Sequence, residues 1–255
     1  MEVNKTFWEH LEDLRGSLLR ILLAVVVAFV LSFVFKDWVF AIVFYPTKET
    51  FLTYTLLGIT PVKVQMIATE ITTQMMAHLK ISLVFAFILS SPYIIKVLFS
   101  FVSPALYKNE KKYSFRIVII SYLLFVFGAL VNYFIIFPIT YNFLVGYQVS
   151  SSVTTLISLH SYIQTLLLMT LVFGIMFEIP ILSWILAKFS LLKHRVMIKY
   201  RKHAIVFILV LAAIITPTTD VFTLAVVFLP IWMLYELSIA IVRQVEKNIA
   251  KNKSI

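Results

Sequence analysis

The chain has 255 residues, 61% of them hydrophobic and only 13% charged, with a mean hydropathy of +0.98. This composition excludes a soluble globular domain, and the apolar runs are long enough to cross roughly 30 Å of hydrocarbon as helices, without the alternation of a membrane barrel. The net charge of +10 sits in short loops between apolar runs, so membrane topology explains it better than nucleic acid, and the lack of cysteine removes disulfide and thiol chemistry.

Residues 1–16 are polar, and Phe7, Leu11 and Leu14 share one helical face opposite Glu9, Glu12 and Asp13, which predicts an amphipathic helix at the interface anchored by Trp8. The acidic start and the length of the first apolar run argue against a cleavable signal peptide. Span 1 is expected over about 17–35. Residues 36–73, interrupted by Pro46, Gly58 and Pro61, are expected to form short helices capping the outer face. Span 2, about 75–102, carries Pro92 and should kink there.

A charged loop at 103–114 leads into span 3, about 115–137, which should end at Pro138. Residues 140–160 hold no Lys, Arg, Asp or Glu and are expected as an exposed loop. Span 4, about 162–186, holds Glu178 with Pro180 two residues on. The basic stretch 187–203 precedes span 5, about 203–215, whose dozen or so apolar residues give only roughly 20 Å of helix at 1.5 Å per residue. Asp220 stands where it would cap span 6, about 221–242, which contains Glu236 and runs into a basic tail at 243–255. The loops 103–114 and 187–203 and the two termini hold most of the Lys and Arg, which places both termini in the cytoplasm and makes the span count even. The expectation is an all-α polytopic membrane protein, a single transmembrane domain over 1–255 with six helices in a concave array.

Catalysis has no visible apparatus. There is no His-Glu-x-x-His pair, no Gly-x-Ser-x-Gly elbow and no phosphate-cradling loop, and the five histidines lack metal-ligand spacing, so neither enzyme activity, metal nor cofactor is expected. A carboxylate at bilayer mid-depth costs at least about 2.5 kcal/mol on insertion scales. Glu178 therefore reads either as an intramembrane recognition or coupling site or as a neutral acid hydrogen-bonded in helix packing. Glu12, Asp13 and Glu110 are acids on the cytoplasmic side of a basic protein, suited to charge-assisted contacts with arginine; the residues alone leave this open against plain solvated helix faces.

The strings Glu9-His10-Leu11-Glu12-Asp13-Leu14-Arg15, Ser103-Pro104-Ala105-Leu106-Tyr107-Lys108-Asn109-Glu110 and Phe173-Gly174-Ile175-Met176-Phe177-Glu178-Ile179-Pro180 occur in this order between spans of these lengths. So do Met66-Ile67-Ala68-Thr69-Glu70, Thr216-Pro217 with Asp220-Val221-Phe222, and Tyr235-Glu236. Together they resemble the TatC family, the multispanning core of the twin-arginine protein translocase, over essentially the whole chain. The resemblance implies a non-enzymatic receptor in a prokaryotic cytoplasmic membrane that binds twin-arginine signal peptides of folded cargo and draws on the proton-motive force. It implies that Asp13 and Glu110 receive the arginines, with Glu12 and Arg15 beside them and with Phe101, Pro104 and Tyr107 shaping the loop.

The resemblance also assigns Glu178 to engaging single-span partners of the TatA and TatB type, which dock along spans 5 and 6, and it implies a homo-oligomer within the complex. Asp220 and Glu236 are candidates for the same polar contacts, each with a plainer role as a cap or in packing. Two departures stand out: Asp13 replaces the usual glutamate, and Leu224 stands where a polar residue is common. The competing reading is a proton-coupled secondary transporter that uses Glu178 as its carrier.

Overall fold

Backbone polar groups inside hydrocarbon have no water to bond, so a spanning chain must satisfy them internally, and helices do this within one segment. The computed structural model describes residues 7–60, 62, 65–102, 111–147, 150, 155–218 and 220–253. Eleven α-helices account for most of these residues: α1 Phe7–Val34, α2 Lys36–Phe44, α3 Leu52–Leu57, α4 Thr73–Val102, α5 Lys111–Val131, α6 Phe137–Gly146, α7 Leu159–Met176, α8 Ile179–Lys188, α9 His194–Lys199, α10 Arg201–Ile215 and α11 Val221–Lys253. Among the described residues, five helical stretches are long and apolar enough to cross a membrane: Arg15–Val34, Thr73–Phe99, Phe115–Gly146, Leu159–Lys188 and Val221–Lys251. The fifth of the six expected spans, α10, has 15 residues, or about 22 Å of helix, and stays below that length.

The chain divides into two compact units. One comprises residues 1–43 and 74–123. Its small core sets Val25 and Ala28 of α1 against Ala86 of α4, with Ile21, Phe29 and Ile94 around them. His78 stacks on Phe33 with ring centroids 4.0 Å apart and places Nε2 3.1 Å from the Phe33 carbonyl oxygen. Residues 7–34 form one unbroken helix, so the N-terminal helix runs directly into span 1, whose apolar stretch begins at Arg15; no proline interrupts it, and a Cβ on Gly16 would meet only the Arg20 side chain at 3.6 Å. Pro92 lies inside α4 without ending it. The Ile88 carbonyl, which Pro92 four residues on cannot serve, accepts the Ser91 hydroxyl at 2.7 Å.

The other unit comprises residues 44–73 and 124–255. Here span 3 does not end at Pro138 as expected. A π-helical turn, Asn132–Ile136, joins α5 to α6, which carries the helix on to Gly146. The carbonyl of Phe134, deprived of a donor at Pro138, accepts the hydroxyl of Thr53 from α3. Residues 140–160 are accordingly not one exposed loop: Thr140 and Tyr141 are buried in α6, and Ile157–Ser158 form a two-residue parallel strand pair with Met66–Ile67. Val62 N–H donates to Asn142 Oδ1 at 3.1 Å, so the segment after α3 is tied to α6 as well. Of the short helices expected over 36–73, α3 lies in this unit, and Phe51 just before it is fully buried.

Helices α5 and α7 approach closely through glycine. A Cβ on Gly128 would lie 2.5 Å from the Phe173 carbonyl oxygen and 2.8 Å from the Phe177 ring, and one on Gly174 would lie 2.7 Å from the Phe125 ring. Small residues at such crossings let backbones pack where lipid supplies no hydrophobic drive between helices.

Candidate functional site

Glu178 occupies the break between α7 and α8. The α7 helix ends at Met176, Phe177 and Glu178 form a turn, and Pro180 enters the first turn of α8, where its missing N–H costs nothing. The turn is tight: Phe177 N–H donates to the Phe173 carbonyl, and Glu178 N–H to that of Ile175, both at 3.0 Å. Phe177 is buried and meets Phe127 edge-to-face at 5.6 Å, so the residue before the acid is fixed by α5 packing. Glu178 is half-buried and its Oε1 is shielded from solvent. The proline thus sets where the helix breaks, and the break presents the carboxylate.

The basic segment after α8 is folded onto α11. Ala187 of α8, Met197 of α9 and Ile239, Val242 and Val245 of α11 form a buried cluster, with Trp184 and Leu192 packed on it. Three polar contacts close it. Tyr235 donates its hydroxyl to the Met197 carbonyl at 2.9 Å, His194 N–H donates to Glu246 Oε1 at 2.8 Å, and the His194 ring pairs with the other Glu246 oxygen. Arg201, at the start of α10, pairs with Glu236 Oε2 at 2.6 Å. Glu236 is therefore held by an arginine of its own chain. Sequence reasoning passed over Glu246, although an acid in a basic tail facing an acid-free loop was a usable signal.

Asp220 caps α11. Its Oδ1 accepts the Thr223 N–H at 2.9 Å, and its Oδ2 accepts the Thr218 and Thr223 hydroxyls at 2.6 and 2.5 Å. Burial works against the charge, yet these hydrogen bonds, with one from Phe222 N–H, outweigh it and hold the carboxyl below the usual aspartate range. A depressed folded pKa contributes stability that is complete above the unfolded value and is lost as pH falls through the folded one. Asp220→Ala is accordingly expected to cost about 1 kcal/mol near neutrality. In thermal unfolding of the detergent-solubilised protein, the gap from wild type should close as pH falls below the ordinary aspartate value; a gap independent of pH would contradict the cap. Leu224 is half-buried in the first turn of α11, and its N–H bonds the Asp220 carbonyl at 3.1 Å.

Of the residues expected to meet arginine, Glu12 and Arg15 are exposed on α1. The side chains of Asp13 and Phe101, and all of Pro104, Tyr107 and Glu110, lie outside the described residues.

The family model for the Sec-independent protein translocase protein TatC matches residues 9–230. The chain belongs to the TatC family. TatC of Carboxydothermus hydrogenoformans is 31% identical over 238 residues, covering 93% of each chain. TatC of Aquifex aeolicus is 34% identical over 232 residues, covering 91% of this chain and 92% of the relative. The fold is similar to a crystal structure of a twin-arginine translocase receptor, TatC, with a TM-score of 0.80 at 33% identity, over 93% of this chain and all of that one. This TatC chain is thus a component of the Sec-independent, twin-arginine protein translocase, a transport role, and its apolar helices make it a membrane protein.

Proposed function

We propose that this TatC chain is the signal-peptide receptor of its translocase, one six-span membrane domain with both termini in the cytoplasm of a prokaryotic cell. Asp13 and Glu110 receive the paired arginines of the signal peptide, with Glu12 and Arg15 beside them and Phe101, Pro104 and Tyr107 shaping the loop. Glu178 and the α10–α11 edge recruit single-span partners of the TatA and TatB type, in copies that assemble together, and the proton-motive force drives transport.

The observation that supports this best is the placement of Glu178. Its carboxyl sits at a proline-set helix break within an apolar span, and an ionisable group within a span marks a functional site by default. The 15-residue α10 supports the same edge as the docking face, since a short span thins the bilayer beside it at a fraction of a kcal/mol per Å. Glu236 and Asp220 act there by stiffening α11, through Arg201 and through the cap, rather than by touching a partner.

Binding of a labelled twin-arginine peptide to the purified chain tests the receptor reading. A hydrogen bond to a charged group contributes about 1.5–3 kcal/mol, so Glu110→Gln should weaken binding roughly 10- to 100-fold. Replacing the peptide's arginines by lysine should weaken it comparably, because lysine cannot form the bidentate contact. A proton-coupled solute carrier would be indifferent to both changes, and indifference would overturn the proposal.

A further inference from the structure

A cleft of about 730 Å³ opens where α6 ends, α7 begins and the turn before α11 passes. Three apolar stretches, Phe115–Gly146, Leu159–Lys188 and Val221–Lys251, have termini there, which puts the cleft at the level of lipid headgroups. Its walls are largely apolar, with Phe137, Phe143, Leu144 and Val145 among them, and Phe143 packs on Phe222 with ring centroids 4.2 Å apart. Among the described residues, Asp220 is the sole lining side chain with a formal charge. Its carboxylate accepts hydrogen bonds but faces no lining cation among the described residues, so the cleft favours a positive group. The rings of Tyr141 and Tyr162 also line it, and aromatic faces attract cations.

A second, independent feature lies deeper. Thr140 also lines the cleft; it is 1% exposed, and its hydroxyl has no hydrogen-bond partner among the described residues. A helical threonine ordinarily donates back to the carbonyl four residues earlier, as Thr170 does to Leu166 at 2.7 Å. A buried hydroxyl left open is costly, and a bound oxygen would recover that cost. Ser161 and Thr165 add further hydroxyls on the facing helix.

We propose that this cleft binds an aminophospholipid: Asp220 takes the primary ammonium, the hydroxyls of Thr140, Ser161 and Thr165 meet the ester and phosphate oxygens, and the apolar walls take the proximal acyl chain. The occupant is a lipid rather than a protein segment because one anionic mouth, scattered hydroxyls and a greasy wall match a zwitterionic amphiphile at headgroup depth. This site is separate from the proposed signal-peptide contacts, so peptide binding and lipid binding fail or succeed independently.

Native mass spectrometry of the purified full chain, titrated with dioctanoyl phosphatidylethanolamine and dioctanoyl phosphatidylglycerol, tests it. Both lipids carry phosphate, so their difference isolates the ammonium. The ethanolamine lipid should bind at least ten-fold tighter. Asp220→Asn, which keeps capping ability, should bring the ratio near one. Thr165→Leu, which fills the cleft without touching the cap, should weaken the ethanolamine lipid about ten-fold at an unchanged melting temperature. Equal affinity for the two lipids, or a preference that survives both substitutions, overturns the proposal. So does a cleft occupied in the purified protein by a polypeptide that neither lipid displaces.

Discussion

Phe51→Ala should destabilise the protein by about 3–5 kcal/mol, the largest single effect expected among the described residues. Phe51 is fully buried, and its ring meets four others: Tyr45 at 5.1 Å, Tyr54 at 5.9 Å, and Tyr133 and Phe134 at 5.5 Å each. Tyr133 and Phe134 belong to the π-helical turn, so Phe51 is the bolt between the α3 segment and the point where α5 hands over to α6. Alanine would leave a cavity that rings held by their own backbone cannot collapse into. The same turn depends on Thr53, whose hydroxyl serves the Phe134 carbonyl, so loosening Phe51 also loosens the contact that lets the helix run past Pro138. Two measurements check this: the unfolding free energy of the solubilised protein, and the rate at which a protease cuts within 44–60. Both should change sharply for Phe51→Ala and barely for Leu56→Ala, since Leu56 is 74% exposed. Equal behaviour of the two variants would show that the α3 segment is not anchored through this ring.

The π-helical turn also marks the boundary of what the residues reveal by themselves. The proline at 138 reads as a helix end because it removes a backbone donor, and that reading is sound for an isolated segment. What offsets it is a hydroxyl 81 residues away in sequence, which no local pattern announces. Pro92 differs only in that its remedy, Ser91, is adjacent. The two-residue pairing of Met66–Ile67 with Ile157–Ser158 is likewise too short to produce any periodicity. Local signals fared better where one residue type does the work. The apolar run before Thr216 set the length of α10, and an aspartate ahead of an apolar run set the start of α11. At Glu178 the acid and the nearby proline were both legible, whereas the glycines that position the turn before it were not, because a glycine's value lies in what approaches it.

Those glycines carry the other large expectation. Gly128→Ala should destabilise the protein by about 1–3 kcal/mol although it adds a single methyl group. The added carbon would sit 2.5 Å from the Phe173 carbonyl oxygen, a backbone atom inside α7 that no rotamer change can move aside, and 2.8 Å from the Phe177 ring. Relief therefore requires α5 and α7 to separate, which also pulls the reciprocal contact of Gly174 on Phe125 apart. The displaced stretch, Phe173–Phe177, is the one that ends at Glu178, so the substitution should move that carboxylate as well as lower the melting temperature. Gly146→Ala provides the contrast: its Cβ would meet only Val62 at 3.5 Å, an ordinary contact, at the exposed last residue of α6. Alanine there is expected to be neutral or to stabilise by a few tenths of a kcal/mol through helix propensity. If the two alanine variants unfolded at the same temperature, close packing of α5 on α7 through Gly128 would be refuted, and with it the account of how the Glu178 turn is held.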